Sequence, residues 1–180
     1  HRARVRSTHY STRIEGNRLT IAEVENVVKV NEGKGHRKST VFHGSKRDVA
    51  EVRNYWNALL RVESWAAQRR PLTEKLIQQL HALVHHGPRA TPTPYRAAQN
   101  AIRDAATGAL VYMPPEAKDV PTLMAGLVAW AEREEKAGLP APILAGLVHY
   151  RFVSIHPYFD GNGRTARLLA TFILHRGGFG

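Results

Sequence analysis

The chain has 180 residues, enough to bury one proper core, and its 43% hydrophobic and 23% charged content is that of a globular protein rather than a disordered or fibrous one. Cysteine is absent, which excludes disulfides, thiolate metal sites and a cysteine nucleophile, and fits a cytoplasmic protein. The formal net charge of +11 favours anionic partners such as nucleotides, nucleic acid or acidic proteins without choosing among them.

No apolar run is long enough to span a bilayer, and the basic start His1-Arg-Ala-Arg-Val-Arg6 is no signal peptide. The chain lacks an initiator Met and ends on Arg176-Gly-Gly-Phe-Gly180, so a fragment of a longer protein is expected. Residues 1–10 are basic and aperiodic and predict a frayed start. Tyr10 to Glu15 predicts a short helix on which Ser11 and Glu15, four apart, share a face, and Gly16-Asn17 supplies its stop. Thr20-Ile-Ala-Glu23 is a capping box that predicts a helix from Ile21 to about Val30. The basic stretch Asn31 to Thr40 reads as a loop. It is no P-loop, because the Lys38-Ser39 pair lacks the preceding glycine.

Ser45-Lys-Arg-Asp48 opens a long helix with an apolar stripe of Val49, Val52, Trp56, Leu59 and Leu60. Pro71 parts it from a helix at about Glu74 to His86, capped by Thr73 and closed by Gly87-Pro88. Residues 87–96 are a Pro/Thr-rich loop. Ala98 to Arg103 and Leu110 to Met113 are β-prone, and a turn at Asp104 to Gly108 joins them into a small hairpin stopped by Pro114-Pro115. Asp119-Val-Pro121 starts a helix that runs to Gly138, and Pro142 starts the next. Arg164 to Arg176 is the last helix, with Gly177 as its C-cap. The fold class is mainly α with one hairpin.

The polar residues gather between two apolar runs, Ile143 to Ile155 and Leu168 to Leu174, in His156-Pro-Tyr-Phe-Asp-Gly-Asn-Gly-Arg-Thr-Ala-Arg167. Gly161-Asn-Gly163 at a helix start leaves backbone N–H groups without intrahelical partners, lets a ligand come close, and adds the positive end of the helix dipole. Arg164 and Arg167, three apart, can clamp a di- or triphosphate from one side. Asp160 beside that anion would be repelled unless a cation such as Mg²⁺ bridges them. His156 stands where it can take a proton from an attacking hydroxyl. Singly, each residue has a blander reading: His156 a hydrogen-bonded loop residue, Asp160 a partner for Arg164, Gly161 and Gly163 a tight turn. At this joint spacing they indicate phosphate-ester transfer from a nucleotide, with the metal and arginines stabilising charge.

The same stretch resembles the signature of Fic-domain proteins, His-Pro-Phe-x-Asp/Glu-Gly-Asn-Gly-Arg-x-x-Arg, and departs from it only in Tyr158 for Phe. Glu51-Val-Arg-Asn-Tyr-Trp-Asn-Ala-Leu59, Tyr95-Arg-Ala-Ala-Gln-Asn100, Val111-Tyr-Met-Pro-Pro115 and Asp119-Val-Pro-Thr-Leu-Met124 also look like Fic core segments. The resemblance therefore runs from about Ser11 to Gly178. It implies the Fic fold, a bundle of about seven or eight helices with a hairpin flap. It also implies AMPylation, the transfer of AMP from ATP to a protein Ser, Thr or Tyr hydroxyl with release of pyrophosphate. Carried onto this chain, the resemblance makes His156 the base and Asp160 the Mg²⁺ ligand. Gly161, Asn162 and Gly163 would hold the phosphates, Arg164 would bind them and stabilise the leaving group, and Arg167 would meet the γ-phosphate. A protein substrate would dock by strand addition on the flap edge at Val111, Tyr112 and Met113. Ordinary hairpin packing is the plainer reading of those three.

Ser11-Thr-Arg-Ile-Glu15-Gly16-Asn17 resembles the Fic inhibitory motif, Ser/Thr-x-x-x-Glu-Gly/Asn. The resemblance implies that Glu15 pairs with Arg167 where the γ-phosphate must sit, with Ser11 hydrogen-bonding near the loop one turn earlier. A plain surface pair, worth about 0–1 kcal/mol, is the alternative. The expectation is an autoinhibited AMP transferase with the inhibitor on the N-terminal side. Residues 1–30 would carry the inhibitory motif and the following helix, and 31–180 the Fic core, within one compact domain. Three rivals remain. Doc proteins look similar but phosphorylate their target and carry Lys where Gly163 stands, so Gly163-Arg164 argues for nucleotidyl transfer. DeAMPylation by the inhibitory glutamate would be a second activity of the same site. A basic nucleic-acid-binding module is motivated by the net charge and by Arg2, Arg4, Arg6, Lys34, Arg37 and Lys38. Against it, the basic residues are scattered and no recognised nucleic-acid-binding motif is present.

Overall fold

Helix α1 (Arg2–Ile14) begins at the second residue of the computed structural model, which describes residues 1–33, 43–89, 91–104 and 106–179. The frayed start expected for residues 1–10 is thus replaced by regular helix. Its inward face is Val5, Thr8, Ser11 and Thr12, and such small polar residues leave no hydropathy stripe to read. Packing holds it instead. Arg4 Nε pairs with Glu63 Oε1 at 2.8 Å, and the His1 ring meets Trp56 edge-on.

The next two helices start where their capping boxes predict. In α2 (Ile21–Asn31), Thr20 Oγ1 accepts from Glu23 N while the Glu23 carboxylate accepts from Thr20 N. Ser45 and Asp48 make the same exchange at the head of α3 (Lys46–Ala67). Most of the basic loop expected at Asn31 to Thr40, with Lys34, Arg37 and Lys38, lies outside the described residues. Helix α4 (Glu74–His86) has the expected bounds, with Thr73 Oγ1 accepting from Leu76 N.

The two strands are shorter than the β-prone runs, β1 being Ile102–Arg103 and β2 Leu110–Tyr112. They pair antiparallel, Ile102 with Tyr112 and Arg103 with Leu110, with an irregularity between. Residues 98–101 stand outside the ladder, and the two polar side chains among them bond elsewhere. Gln99 Nε2 donates to Pro114 O, Asn100 Nδ2 donates to Tyr158 O, and Asn100 Oδ1 accepts from Ala101 N. A 3₁₀ turn, Ala117–Asp119, leads into α5 (Val120–Lys136), followed by α6 (Ala141–Ile155) and α7 (Asn162–Arg176). Helix α7 starts two residues before the expected Arg164, so the glycine loop is its first turn.

Seven helices and one two-stranded sheet make up the described residues. Helix α7 packs on α3, α4 and α6, and its Leu168, Leu169 and Phe172 join Phe152, Ile77 and Met124 in the main core. A second cluster, built on Val24, Val28 and Leu19, takes Val52 and Trp56 from the other face of α3. Helix α1 rests on α2 and α3 and reaches α7 at its C-terminal end, which sets Glu15 beside the polar loop. No helix among the described residues is long and apolar enough to cross a membrane.

Candidate active site

His156 closes α6 in the left-handed conformation (φ 51°, ψ 60°), which turns the chain sharply into the loop. The strain is contained by Arg96, which is 4% exposed and whose Nε donates to His156 O at 2.9 Å. Backbone Arg96 N also donates to Pro157 O. The other guanidinium nitrogens reach Ala98 O at 3.1 Å and Pro115 O, so one side chain joins the loop to both roots of the hairpin. Burial, reinforced by Arg96, holds the His156 imidazole below its ordinary value, so the ring is neutral at pH 7. In the tautomer protonated on Nδ1 the ring donates to Val153 O (3.4 Å), and Nε2 carries the lone pair.

The turn into α7 is made by Gly161, at φ 79°, where a β-carbon would also crowd the His81 ring. The first intrahelical bond is Thr165 N to Gly161 O at 3.0 Å, so the N–H groups of Asn162, Gly163 and Arg164 precede the ladder. Asn162 is 2% exposed. Its Oδ1 accepts from Tyr158 N (3.0 Å) and its Nδ2 donates to Tyr158 O (2.7 Å). Both polar atoms of the Asn162 amide are thus engaged within the loop, and its side chain shapes that loop. His81 Nε2 meets Asp160 O at 2.8 Å and its ring stacks on Tyr158, with centroids 3.6 Å apart. Burial lowers His81 to about 4, so it stands as a neutral prop under the loop.

Arg164 is 2% exposed and lies between two carboxylates, with Nη1 on Glu51 Oε1 (2.8 Å) and Nη2 on Asp160 Oδ1 (3.2 Å). Arg167 faces α1. Its Nε donates to Ser11 Oγ at 2.7 Å, and its Nη2 to Ser11 O at 3.0 Å and Glu15 Oε1 at 2.6 Å. Gly163 makes this approach possible, since a β-carbon there would collide with Glu15 Oε1. Ser11, Glu15, Gly163 and Arg167, dispersed over most of the chain, thus meet at one point.

Burial alone would raise Asp160, but Arg164 and the Gly161 N–H outweigh it and hold the carboxyl below its ordinary value. Its Oδ1 is taken by these two donors. Its Oδ2 faces His85 Nδ1 at 3.6 Å and Arg47 Nη2 at 3.9 Å, on a side chain that is about half exposed. An exposed, ionised carboxylate oxygen beside a helix N-terminus fits a Mg²⁺ ion shared with a phosphate. Among the described residues no cluster of three His, Cys, Asp or Glu side chains could cage a metal, so such an ion needs the anionic ligand to complete its shell.

The model of the Fic/DOC family matches residues 71–174 of this sequence. The chain belongs to the Fic/DOC family. It is 31% identical over 172 residues to the protein adenylyltransferase Fic of Drosophila grimshawi, across 95% of this chain and 33% of that protein. Over 171 residues it is 31% identical to the protein adenylyltransferase Fic of Nematostella vectensis, across 95% of this chain and 37% of that one. The chain thus spans about a third of the length of these curated relatives. Among solved structures it is similar to a Fic domain containing signaling protein from Bacteroides thetaiotaomicron, with a TM-score of 0.82 and 31% identity, covering 97% of this chain and 63% of the other. A helical bundle with one small antiparallel sheet is therefore the Fic fold, as the motifs imply.

Beside this Fic loop the hairpin exposes Leu110, Val111, Tyr112 and Met113, a continuous apolar edge. Tyr112 Oη donates to Ser154 O at 2.8 Å, two residues before His156, which ties the edge to the end of α6. The sequence assigns no task to Glu51, Arg96, His81 or His85, and reads Asn17 as a helix stop rather than as a partner of Glu51. Glu51 and Arg164 are 113 positions apart and Arg96 and His156 60, so no local spacing couples them. The usable signal is the Fic resemblance of the Glu51 and Tyr95-Arg96 segments.

Proposed function

We propose that this chain transfers AMP from ATP to a hydroxyl of a protein, and that the end of α1 holds the reaction off in the resting state. The observation that carries the proposal is the neutral, half-buried His156 beside the open N-terminus of α7, with Arg164 and Arg167 on its first two turns. The names of the curated relatives support the choice of adenylyl transfer.

His156 Nε2 takes the proton of the hydroxyl as its oxygen forms a bond to the α-phosphorus, and the bond to pyrophosphate breaks. The N–H groups of residues 162–164 and the Arg164 guanidinium meet the charge that develops on the phosphates. Asp160 would hold Mg²⁺, which when bound neutralises phosphate charge. Arg167 would receive the γ-phosphate. With Glu15 and Ser11 on that guanidinium, the γ-phosphate finds a carboxylate where it needs a cation. The target segment would lie along Leu110 to Met113, where a strand can add to β2 by main-chain bonds.

The test is labelled-ATP incorporation by the Glu15→Gly protein into a cell lysate. Label at the α-phosphate should appear on protein, and label at the γ-phosphate should not. His156→Ala should abolish it. Incorporation of γ-label would instead identify a kinase.

A further inference from the structure

Arg164 has two partners of different kinds. Asp160 is on the same loop, is about half exposed, and in the proposed function turns to the cation. Glu51 comes from α3, its side chain is 13% exposed, and its contact with Arg164 is the shorter, 2.8 Å against 3.2 Å. Both Glu51 oxygens are directed. Oε1 takes Arg164 Nη1, and Oε2 accepts from Asn17 Nδ2 at 3.1 Å. Asn17 is itself fixed, being 5% exposed, with Nδ2 also donating to Asp48 O (3.0 Å) and Oδ1 accepting from Leu19 N (3.1 Å). Arg47, at 3.9 Å from Glu51 Oε1, is a second cation within salt-bridge range of this carboxylate and is largely exposed. Arg164 Nε is buried without a protein partner, so the pairing leaves donors over.

A guanidinium this buried needs a counter-charge, and one that must meet a charge developing in a reaction needs a fixed direction. A fixed carboxylate supplies both, and it also lowers the pull of the arginine on a phosphate that has not yet reacted. Grip on the bound substrate does nothing for turnover, whereas aim at the transition state does.

We propose that Glu51 is a positioning residue that aims Arg164 at the reacting phosphates and tempers its hold on ground-state ATP. The proposal rests on the functional reading above for the identity of the nucleotide. Replacing the charge while keeping the shape has opposite effects on the two quantities. Arg164 attracts ATP more strongly and orients worse.

The experiment compares Glu51→Gln with its parent in the Glu15→Gly background. ATP affinity is measured by isothermal titration with Mg²⁺ present, and turnover by α-label transfer. The expected result is ATP binding tighter by about three- to tenfold together with turnover lower by about tenfold or more. Glu51→Asp keeps the charge but withdraws it by one methylene. It should show the same pattern at smaller amplitude, and it carries the test if Glu51→Gln does not fold. Turnover and affinity falling together, or turnover falling at unchanged affinity, would mean that Glu51 only supports α3, and would overturn the assignment, as would unchanged turnover. If the Glu15→Gly parent binds ATP but transfers no α-label, the adenylyl-transfer reading fails. The affinity arm then decides for Glu51 alone, and an affinity that does not tighten refutes it.

Discussion

Replacing Glu15 with glycine tests the resting state at its narrowest point. Glu15 Oε1 lies 2.6 Å from Arg167 Nη2, with side chains 28% and 25% exposed. An exposed pair contributes about 0–1 kcal/mol and breaking a buried one costs about 3–5 kcal/mol. A pair with about a quarter of its surface in water belongs between them, at about 1–2 kcal/mol after screening. At about 1.4 kcal/mol per factor of ten, this corresponds to ATP held back by about five- to thirtyfold. Glu15→Gly should therefore raise AMP transfer by about that factor at subsaturating ATP, read by autoradiography with α-labelled ATP. The gain should shrink as ATP saturates, because a competitor for the γ-phosphate position is overcome by its ligand. Glu15→Gln keeps the volume and loses the charge, and should recover most of the gain if repulsion is the operative term. His156→Ala in either background should be silent. A Glu15→Gly protein no faster than its parent at low ATP would refute the reasoning.

Asn17→Ala removes the hydrogen bonds that seat the end of α1 on α3 and should raise the parent's transfer, whereas once Glu15 is glycine it should lower turnover, because it also frees Glu51 Oε2. A further gain in that double variant would show that Asn17 restrains something other than Glu15. Burial keeps His156 below its ordinary 6.5, so its free base persists into mildly acid solution. Transfer should be flat around neutrality and fall only as the pH drops through that lowered value. An acid limb centred above 6.5 would contradict a buried neutral base. Tyr158 is 2% exposed and its hydroxyl is buried without a protein partner. Tyr158→Phe should leave the melting temperature unchanged or raise it by a few degrees, in line with about 1 kcal/mol for a buried unsatisfied hydroxyl. A clear loss of stability would mean that an ordered water satisfies that hydroxyl.

Local signals in the sequence mark those parts of the fold that local interactions make. Thr73 at the head of α4, the boxes Thr20/Glu23 and Ser45/Asp48, and the glycine loop before α7 each join residues within one or two turns. The end of α1 is legible, but its first half escapes because it buries Thr8 and His9 beside a single apolar residue, Val5. The β-hairpin is cut short because Gln99 and Asn100 spend their side chains on Pro114 and Tyr158, contacts between segments that no strand propensity reports. In the site, the spacing of His156, Asp160, Arg164 and Arg167 is legible since one loop and one helix carry them all. Glu51 and Arg96 are not, because each acts across a fold that must already exist. Asn162 adds a contact that its place in the motif does not report. Its place in a phosphate-binding pattern suggests a ligand, and its amide faces inward and closes on Tyr158.

The joint made by Arg96 speaks only to main-chain carbonyls, at His156, Ala98 and Pro115. Main-chain carbonyls survive any substitution, so the alignment between His156 and the hairpin is indifferent to the identities of the residues between Ile102 and Val111. Under the proposed function, those residues could be exchanged to suit a different target while His156 and the hairpin roots keep their register. On that reading the hairpin is an interchangeable jaw on a fixed vice, and a graft of its tip from another member of the family would be a route to retargeting.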